Sequence, residues 1–127
     1  MKDISELNPH KFQTTLVIDA NLKMLFERLL EFQDACDLEF TITSGLRDDA
    51  LQAQLIHDGK SSARHSKHLA GLAADIEDKD GKLDDWVSKN LDVVARIGLW
   101  FECPLYTVGW VHAQCMAPAS GKRVFIP

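Results

Sequence analysis

The chain has 127 residues, a formal net charge of −5, and 46% hydrophobic and 26% charged residues. These values are typical of one soluble globular domain, spanning residues 1–127, that can bury a core without disulfide support. The negative charge argues against nucleic acid as a partner, because phosphate binding needs a cationic face. It also provides no basic anchor for an anionic membrane surface.

The cysteines and the N-terminal residues indicate the cellular compartment in which the protein is expected to be synthesised. Cys36, Cys103 and Cys115 form an odd set without CxxC spacing, which favours buried thiols in a reducing cytosol. The N-terminal residues lack the apolar run of a secretory signal, and no stretch reaches the length of a membrane span. We expect a monomer that is synthesised in the cytoplasm without a signal peptide and does not associate with a membrane.

The first third of the chain predicts one helix after an irregular lead-in over residues 1–20. Asp19 or Asn21 can cap this helix, which should end near Cys36. Its apolar residues recur near the helical spacing of 3.6: Leu22, Leu25, Phe26, Leu29, Leu30 and Phe32.

The next segments predict a strand and a second helix. Residues 38–43 alternate apolar with polar side chains and are rich in β-branched residues, which indicates a strand with one buried face. The helix is expected over residues 47–58, because Asp48 and Asp49 suit its first turn.

The second half predicts a further helix and several short strands. Residues 72–77 follow a glycine and predict a turn entering a strand, whereas residues 83–97 predict one amphipathic helix that ends at Gly98. Residues expected to face inward on this helix are Trp86, Val87, Leu91, Val94 and Ile97. Further strand candidates are 99–102, 110–114 and 123–126. Tight connections between them predict the α+β class, with a small antiparallel sheet and helices packed on one side.

An imidazole and a carboxylate lie seven residues apart in this sequence, with a second imidazole far downstream. His68 is expected at a loop tip, and Asp75 on the following strand should point back toward it. Together with His112 they offer two nitrogens and one oxygen, the ligand set of a catalytic zinc with a fourth position open. Taken singly, the His–Asp pair is more often an ordinary surface pair, and a strand histidine is more often a hydrogen-bonded core residue.

Three sequence blocks carry a family resemblance. The blocks Ser44-Gly45-Leu46-Arg47, Ser66-x-His68-x-x-Gly71-x-Ala73-x-Asp75 and Trp110-Val111-His112 resemble, in order, those of peptidase family M15. This family comprises zinc D-alanyl-D-alanine carboxypeptidases and phage L-alanyl-D-glutamate endolysins. The resemblance implies a hedgehog/DD-peptidase-like fold and Zn²⁺ bound by His68, Asp75 and His112. It also implies that Arg47 faces the substrate.

The expected general base departs from the family pattern. Many relatives carry Glu or Asp three residues before the last histidine, where this chain has Gly109. Glu102 is the best substitute if the strands before and after Pro104–Val108 pair as a hairpin, because its carboxylate can then approach the metal. The other interpretation of Glu102 is an exposed glutamate at a strand end.

Other polar side chains near these blocks are candidate substrate contacts. The planar fork of Arg47 can hold a carboxylate or a polarised carbonyl, although a surface pair with Asp48 or Glu39 is the alternative. Ser66 can orient the metal loop, and His65 is a candidate substrate contact rather than a ligand. Trp110 is expected on the same strand face as His112, forming the cleft wall.

We therefore predict a zinc-dependent peptidase that hydrolyses peptidoglycan stem peptides. It would be a phage endolysin or a D,D-carboxypeptidase that acts at the cell wall or in the periplasm, reached through a separate membrane-permeabilising factor. The absence of a carboxylate at Gly109 leaves an inactive peptidoglycan-binding module as an alternative. A phage tail protein that uses the same fold for assembly is a further alternative.

Overall fold

A computed structural model describes residues 1–61 and 66–127, so the predicted substrate contact His65 lies outside the described residues. The helices of the described part are α1 (Leu16–Cys36), α2 (Asp49–His57), α3 (Lys82–Lys89) and α4 (Leu91–Ile97). Its strands are β1 (Ile42–Ser44), β2 (Ala73–Glu77), β3 (Trp100–Glu102), β4 (Trp110–Gln114) and β5 (Val124–Phe125). Short 3₁₀ turns span Ile4–Leu7, Lys67–Ala70 and Pro104–Tyr106. These elements confirm the predicted α+β class.

The strands form one sheet in the order β1-β2-β4-β3-β5. The pairs β1–β2, β2–β4 and β4–β3 are antiparallel, and β3 and β4 form the predicted hairpin. Strand β5 differs from the expectation of a purely antiparallel sheet, because it pairs parallel with β3. It adds at the edge of β3 that faces away from β4.

The two faces of the sheet have different roles. Ala74 and Ile76 of β2 and Val111 and Ala113 of β4 belong to the hydrophobic core, where α1, α3 and α4 contribute their apolar residues. The core includes the ring of Phe32 in α1, whose centroid lies 5.7 Å from that of Trp86 and 5.3 Å from that of Phe101. Because strand side chains alternate, the residues between these core positions point to the opposite face.

Helix α1 begins earlier than the sequence predicted. Thr15 is its N-cap, with the side-chain oxygen accepting a hydrogen bond from the backbone N–H of Ile18. In the first turn, Leu16 and Val17 are exposed, with exposed fractions of 88% and 70%, whereas Ile18 packs against the hydrophobic core. The cap at Thr15 marks the first residue of this helix, and Ile18 extends its apolar spacing by one turn before Leu22. The other end agrees with the prediction, because Asp37 after Cys36 adopts the left-handed conformation.

The single helix predicted over residues 83–97 is wrong, because Asn90 divides it into α3 and α4. The amide Nδ2 of Asn90 donates a hydrogen bond to the Trp86 carbonyl at 2.8 Å, and its backbone leaves the helical region. Asparagine readily makes such local bonds to the backbone in place of a regular helix. As a consequence Leu91, predicted to face inward, is 44% exposed. Gly98 ends α4 as predicted.

None of the helices within residues 1–61 and 66–127 is both long enough and apolar enough to cross a membrane.

Candidate metal centre

Two central strands and a short turn bring together His68, Asp75 and His112, here called the metal-site triad. Asp75 on β2 lies directly opposite His112 on β4, and both point away from the hydrophobic core. His68 reaches them from the 3₁₀ turn Lys67–Ala70, where it is 2% exposed rather than at the tip of a loop as predicted. The structure thus joins three side chains that are far apart in sequence.

The three side chains meet at one carboxylate oxygen. Asp75 Oδ1 lies 3.2 Å from His68 Nε2 and 3.1 Å from His112 Nδ1. One possible ligand atom from each residue lies within 4.8 Å of the other two. All three side chains are buried, which limits competition from water for these atoms. This convergence of two nitrogens and one oxygen suits a divalent metal ion.

Hydrogen bonds at the outer nitrogens fix which imidazole atom faces the centre. His68 Nδ1 lies 2.8 Å from the Gly45 carbonyl, which can only accept, so Nδ1 carries the proton and Nε2 faces Asp75. Gln114 Nε2 donates to the Met116 carbonyl at 2.7 Å, so Gln114 Oε1 is the atom 2.8 Å from His112 Nε2. His112 Nε2–H therefore donates to Gln114, and Nδ1 faces the centre.

The turn that carries His68 depends on two local features. The Ser66 hydroxyl accepts a hydrogen bond from the His68 backbone N–H at 3.2 Å and caps the turn. Gly71 ends it with φ of +73°, a conformation that side chains disfavour, and a Cβ there would lie 3.0 Å from Leu22 Cγ. Glycine at position 71 therefore suits this turn for conformational and steric reasons.

A second glycine holds the partner of His68 in place. A Cβ at Gly45 would lie 2.3 Å from the Leu7 carbonyl oxygen, so only glycine fits this close approach. The neighbouring Leu46 N–H donates to the same carbonyl at 2.8 Å. Arg47 N–H donates to the His68 carbonyl at 3.1 Å, which ties the segment to the turn of the metal-site triad.

The guanidinium of Arg47 braces the outer oxygen of the Asp75 carboxylate. Its Nη2 donates to Asp75 Oδ2 at 3.1 Å, while Nε and Nη1 donate to Ser44 Oγ at 3.2 Å and Gln52 Oε1 at 3.0 Å. Arg47 thus pairs with a member of the triad, and not with Asp48 or Glu39 as the alternative interpretation had it. The guanidinium also lines the adjoining cleft.

The buried charges shift the ionisation of the centre. Burial alone would raise the pKa of Asp75, but the charge of His68 and hydrogen bonds from both imidazoles lower that pKa well below its usual range. Burial lowers the pKa of His68, which outweighs the opposing effect of Asp75. Burial would also lower the pKa of His112, yet the hydrogen bond to Asp75 and the charge of Asp75 raise it. The fold therefore favours the ionised form of the Asp75 carboxylate, which is the form that can bind a metal ion.

Glu102 lies beside the triad at the end of β3. Its Oε1 is 3.9 Å from His112 Nδ1, and its side chain is 19% exposed, so it is not the fully exposed strand-end glutamate of the alternative interpretation. Burial raises the pKa of Glu102, His112 opposes this effect, and Asp75 adds to it. Gly109 lies across the hairpin with φ of +86° and brings no carboxylate to the centre.

The triad forms the floor of a cleft with a volume of about 430 Å³. Trp110, predicted on the same face as His112, lines this cleft together with Ser66, Arg47 and Glu102. The remaining described wall residues are Gly59, Lys60, Ser61, Tyr106 and Pro127. The other site residues predicted from the sequence therefore all line this one cleft. His65 lies outside the described residues.

Sequence reasoning gave no role to several residues that support the site. Gln114 lies two residues after His112 on β4, and this strand spacing was a usable signal that the two side chains share a face. Gln52 accepts a hydrogen bond from Arg47, and no sequence pattern indicates this role, because it depends on the tertiary contact between α2 and the segment after β1. The Gly45 carbonyl carries no such signal either, since any residue has a backbone oxygen.

No protein-family model matches the chain, and no curated protein matches it. Among solved structures, the chain is similar to the crystal structure of the L-Ala D-Glu endopeptidase ChiX from Serratia marcescens, with a TM-score of 0.54. The two sequences are 21% identical, and the alignment covers 86% of this chain and 93% of that chain. At this level of identity, the similarity shows a shared fold.

Proposed function

We propose that the protein is a zinc-dependent peptidase that hydrolyses peptide bonds in peptidoglycan stem peptides. The observation that carries this proposal is the buried metal-site triad at the floor of an open cleft, with Glu102 3.9 Å from His112. The shared fold with an L-Ala D-Glu endopeptidase supports it. So does the resemblance of the three sequence blocks to family M15, whose members are phage endolysins and D,D-carboxypeptidases.

The residues of the triad fit zinc. Nitrogen and carboxylate ligands suit this ion, three protein ligands are the usual number at a catalytic site, and both histidines have their outer nitrogens held by oxygen acceptors. When bound there, zinc would polarise the scissile carbonyl and lower the pKa of a coordinated water. We place His68 Nε2, His112 Nδ1 and Asp75 Oδ1 as its ligand atoms.

Glu102 is the proposed general base. It is the carboxylate next to the triad that is free of a ligand role, and its raised pKa brings it closer to the operating pH, as general catalysis requires. In this role it takes a proton from the attacking water and returns it to the leaving amine. Its position on β3 replaces the family's acidic residue, which is Gly109 in this chain.

Arg47 and the cleft walls are the proposed substrate contacts. Three of the five N–H bonds of Arg47 hold Ser44, Gln52 and Asp75, which leaves donors for a substrate carbonyl. Trp110 offers an apolar wall for the peptide, and Ser66 supports the turn beside it. The protein would act as a monomer at the cell wall, released through a separate permeabilising factor.

A second candidate is a peptidoglycan-binding module that retains metal without hydrolysis. The observation that favours it is Gly109, which leaves the family's usual base position without a carboxylate. Digestion of purified muropeptides by the zinc-loaded protein separates the two: new fragments require the peptidase. Metal-loaded protein that binds the muropeptides but releases no fragments at any pH would favour the binding module. Stable association with phage particles in the absence of zinc would instead point to a structural tail protein.

The metal assignment is tested by elemental analysis of the protein and of His68→Ala. We expect about one zinc per chain in the parent and a loss of most of it in the variant. His57→Ala is the matched control, because the His57 side chain is exposed and pairs with Asp58, away from the triad. Equal zinc content in all three proteins would contradict the assignment.

A further inference from the structure

The connection between β3 and β4, residues 103–109, is fixed to the rest of the protein at its two ends. Cys103 N–H donates to the Phe125 carbonyl at 2.7 Å, and Asp78 N–H donates to the Gly109 carbonyl at 3.0 Å. Within the described part of the chain, the hydrogen bonds of residues 104–108 stay between residues 103 and 110. The connection can therefore move between its anchored ends without breaking a hydrogen bond to its surroundings.

Thr107 is the buried residue of this connection, and its burial is unfavourable. Its exposed fraction is 0%, whereas those of Leu105, Tyr106 and Val108 are 84%, 54% and 83%. The Thr107 hydroxyl has no hydrogen-bond partner among residues 1–61 and 66–127. Such a hydroxyl loses its bonds to water and gains none in return. The connection thus exposes its apolar side chains and buries an unpaired polar one.

The same connection borders the cleft above the metal-site triad. Tyr106 lines the cavity that Glu102 and His112 also line. Gly109, at the far end, has φ of +86°, and a Cβ there would meet nothing within 4 Å, so the backbone can turn at this point without a clash. A movement of residues 103–109 would therefore change how far the cleft is open to solvent.

We propose that residues 103–109 form a lid that turns at Cys103 and Gly109 and closes over the metal-site triad when a ligand occupies the cleft. In the closed position, Leu105 and Val108 contact the ligand and are removed from water, which favours closing. The Thr107 hydroxyl leaves its buried position and regains hydrogen bonds, which favours closing as well. For the identity of the ligand, this inference rests on the proposed function.

The motion is tested first on the zinc-loaded protein without ligand. Methyl relaxation dispersion of Leu105 and Val108 detects exchange in the microsecond-to-millisecond range, where lids move. We expect both residues to exchange with one rate constant and with a closed state populated to roughly 1%. Leu16 is the matched control, because it is 88% exposed but lies on α1, and it should show no such exchange.

Two substitutions connect this exchange to the unpaired hydroxyl. Thr107→Val replaces the hydroxyl by a methyl group of similar size, which stabilises the open position and should lower the closed population about tenfold. Thr107→Ser keeps the hydroxyl and should keep the exchange.

The same substitution should act on ligand binding. A purified disaccharide-tripeptide muropeptide is titrated by calorimetry into the zinc-loaded Glu102→Gln protein, in which the proposed base is absent. Because binding needs the closed state, Thr107→Val should weaken this binding by the same factor by which it lowers the closed population. Thr107→Ser should bind at least as tightly as Thr107 itself.

Three results would overturn the lid. These are the absence of exchange at Leu105 and Val108, the same exchange at Leu16, and exchange that is equal in the parent and in Thr107→Val. Muropeptide binding that is unchanged in Thr107→Val, despite a lower closed population, would also contradict closure on the ligand. Because the exchange is measured without ligand, a parent protein that binds no muropeptide counts against the proposed function, while the Thr107 comparison still decides whether the lid exists.

Discussion

The side chain of Gln114 links the ionisation of His112 to the backbone that follows β4. Gln114 Nε2 donates a hydrogen bond to the Met116 carbonyl at 2.7 Å, and this bond turns Gln114 Oε1 toward His112. Gln114 Oε1 then accepts a hydrogen bond from His112 Nε2 at 2.8 Å. Gln114 is 3% exposed, and water cannot readily replace it. An amide at this position therefore orients His112 with Nδ1 toward Asp75.

Replacing Gln114 by leucine should weaken metal binding without removing a ligand. We expect zinc affinity to fall about 10- to 100-fold, the usual effect of losing a partner that orients a metal-binding histidine. Competition with a chromophoric chelator measures this change, and nitrogen NMR of His112 should show loss of the single tautomer. Gln54→Leu is the control, because the Gln54 side chain donates to the exposed side chain of Asp58. Unchanged affinity in a folded Gln114→Leu protein would contradict the orienting role.

Glu102→Gln separates metal binding from proton transfer. The amide has nearly the shape of the carboxylate but cannot accept the proton, so kcat should fall about 10²- to 10⁴-fold while zinc content is retained. Muropeptide cleavage and elemental analysis on the same preparation check both expectations. Glu31→Gln, an exposed change on α1, should match the parent in both. Full activity in Glu102→Gln would reassign the base.

How far residues could be predicted depends on whether their role is local. His68 and Asp75 lie in one sequence block, so their proximity could be predicted from the sequence. Strand alternation likewise predicted that His112 and Trp110 share one face of β4. The partner of Arg47 could not be predicted in the same way. Its bond to Asp75 depends on the packing of the segment after β1 against β2, a contact between residues 28 positions apart.

At the level of elements, the start of α3 concentrates negative charge. Asp78 accepts hydrogen bonds from the backbone N–H groups of Leu83 and Asp84, at 2.9 and 3.1 Å, and so caps the helix. Asp84 lies beside it, and burial together with the neighbouring Asp78 raises the pKa of Asp84 to about 6. The first turn of α3 therefore contains a carboxyl group that the folded state prefers to keep protonated.

This arrangement predicts how stability depends on pH. Because the pKa of Asp84 rises from 3.8 to about 6 on folding, its favourable contribution is complete below pH 3.8 and is lost as the pH rises through 6. Asp84→Asn should therefore be more stable than the parent at pH 7, by about 1 kcal/mol once solvent screening is allowed for, and the gain should vanish near pH 4. Urea unfolding across this range measures the difference. A gain that does not change with pH would contradict the expectation.

The helix break and the parallel strand that the sequence did not predict both depend on features that apolar spacing does not report. The break at Asn90 arises from one side-chain bond to the Trp86 carbonyl, while the apolar spacing on both sides continues as if the helix were unbroken. The parallel pairing of β5 depends on which sheet edge is free, a property of the whole sheet. Hydrophobic periodicity reports neither side-chain capping nor strand order.

In the whole molecule, the metal-site triad and the hydrophobic core occupy opposite faces of the sheet. The core residues Ile76 and Val111 are neighbours of Asp75 and His112 in sequence but point to the helices. Chelation should therefore lower stability without unfolding the protein. We expect a loss of about 2.7 kcal/mol relative to zinc at 100 times its Kd, or about 10 °C in Tm.

Thermal unfolding with and without a chelator, followed by far-ultraviolet circular dichroism, checks this expectation. The His68→Ala protein provides the control, because a chelator should then change its Tm very little. Collapse of the spectrum on chelation at 25 °C would mean that the metal is required for the fold. That outcome would contradict the separation between the core and the triad.

The metal-site triad and the outer cleft walls lie on different kinds of structural element, and this difference has an evolutionary consequence. The groups proposed for chemistry stand on β2, β3, β4 and a tight turn, whereas the outer cleft walls come from the connection after α2 and the tip of the β3–β4 hairpin. Connections of this kind tolerate substitution and changes of length far better than paired strands do. Descendants of this chain can therefore acquire new binding preferences by altering surface loops, with the metal-site triad inherited intact.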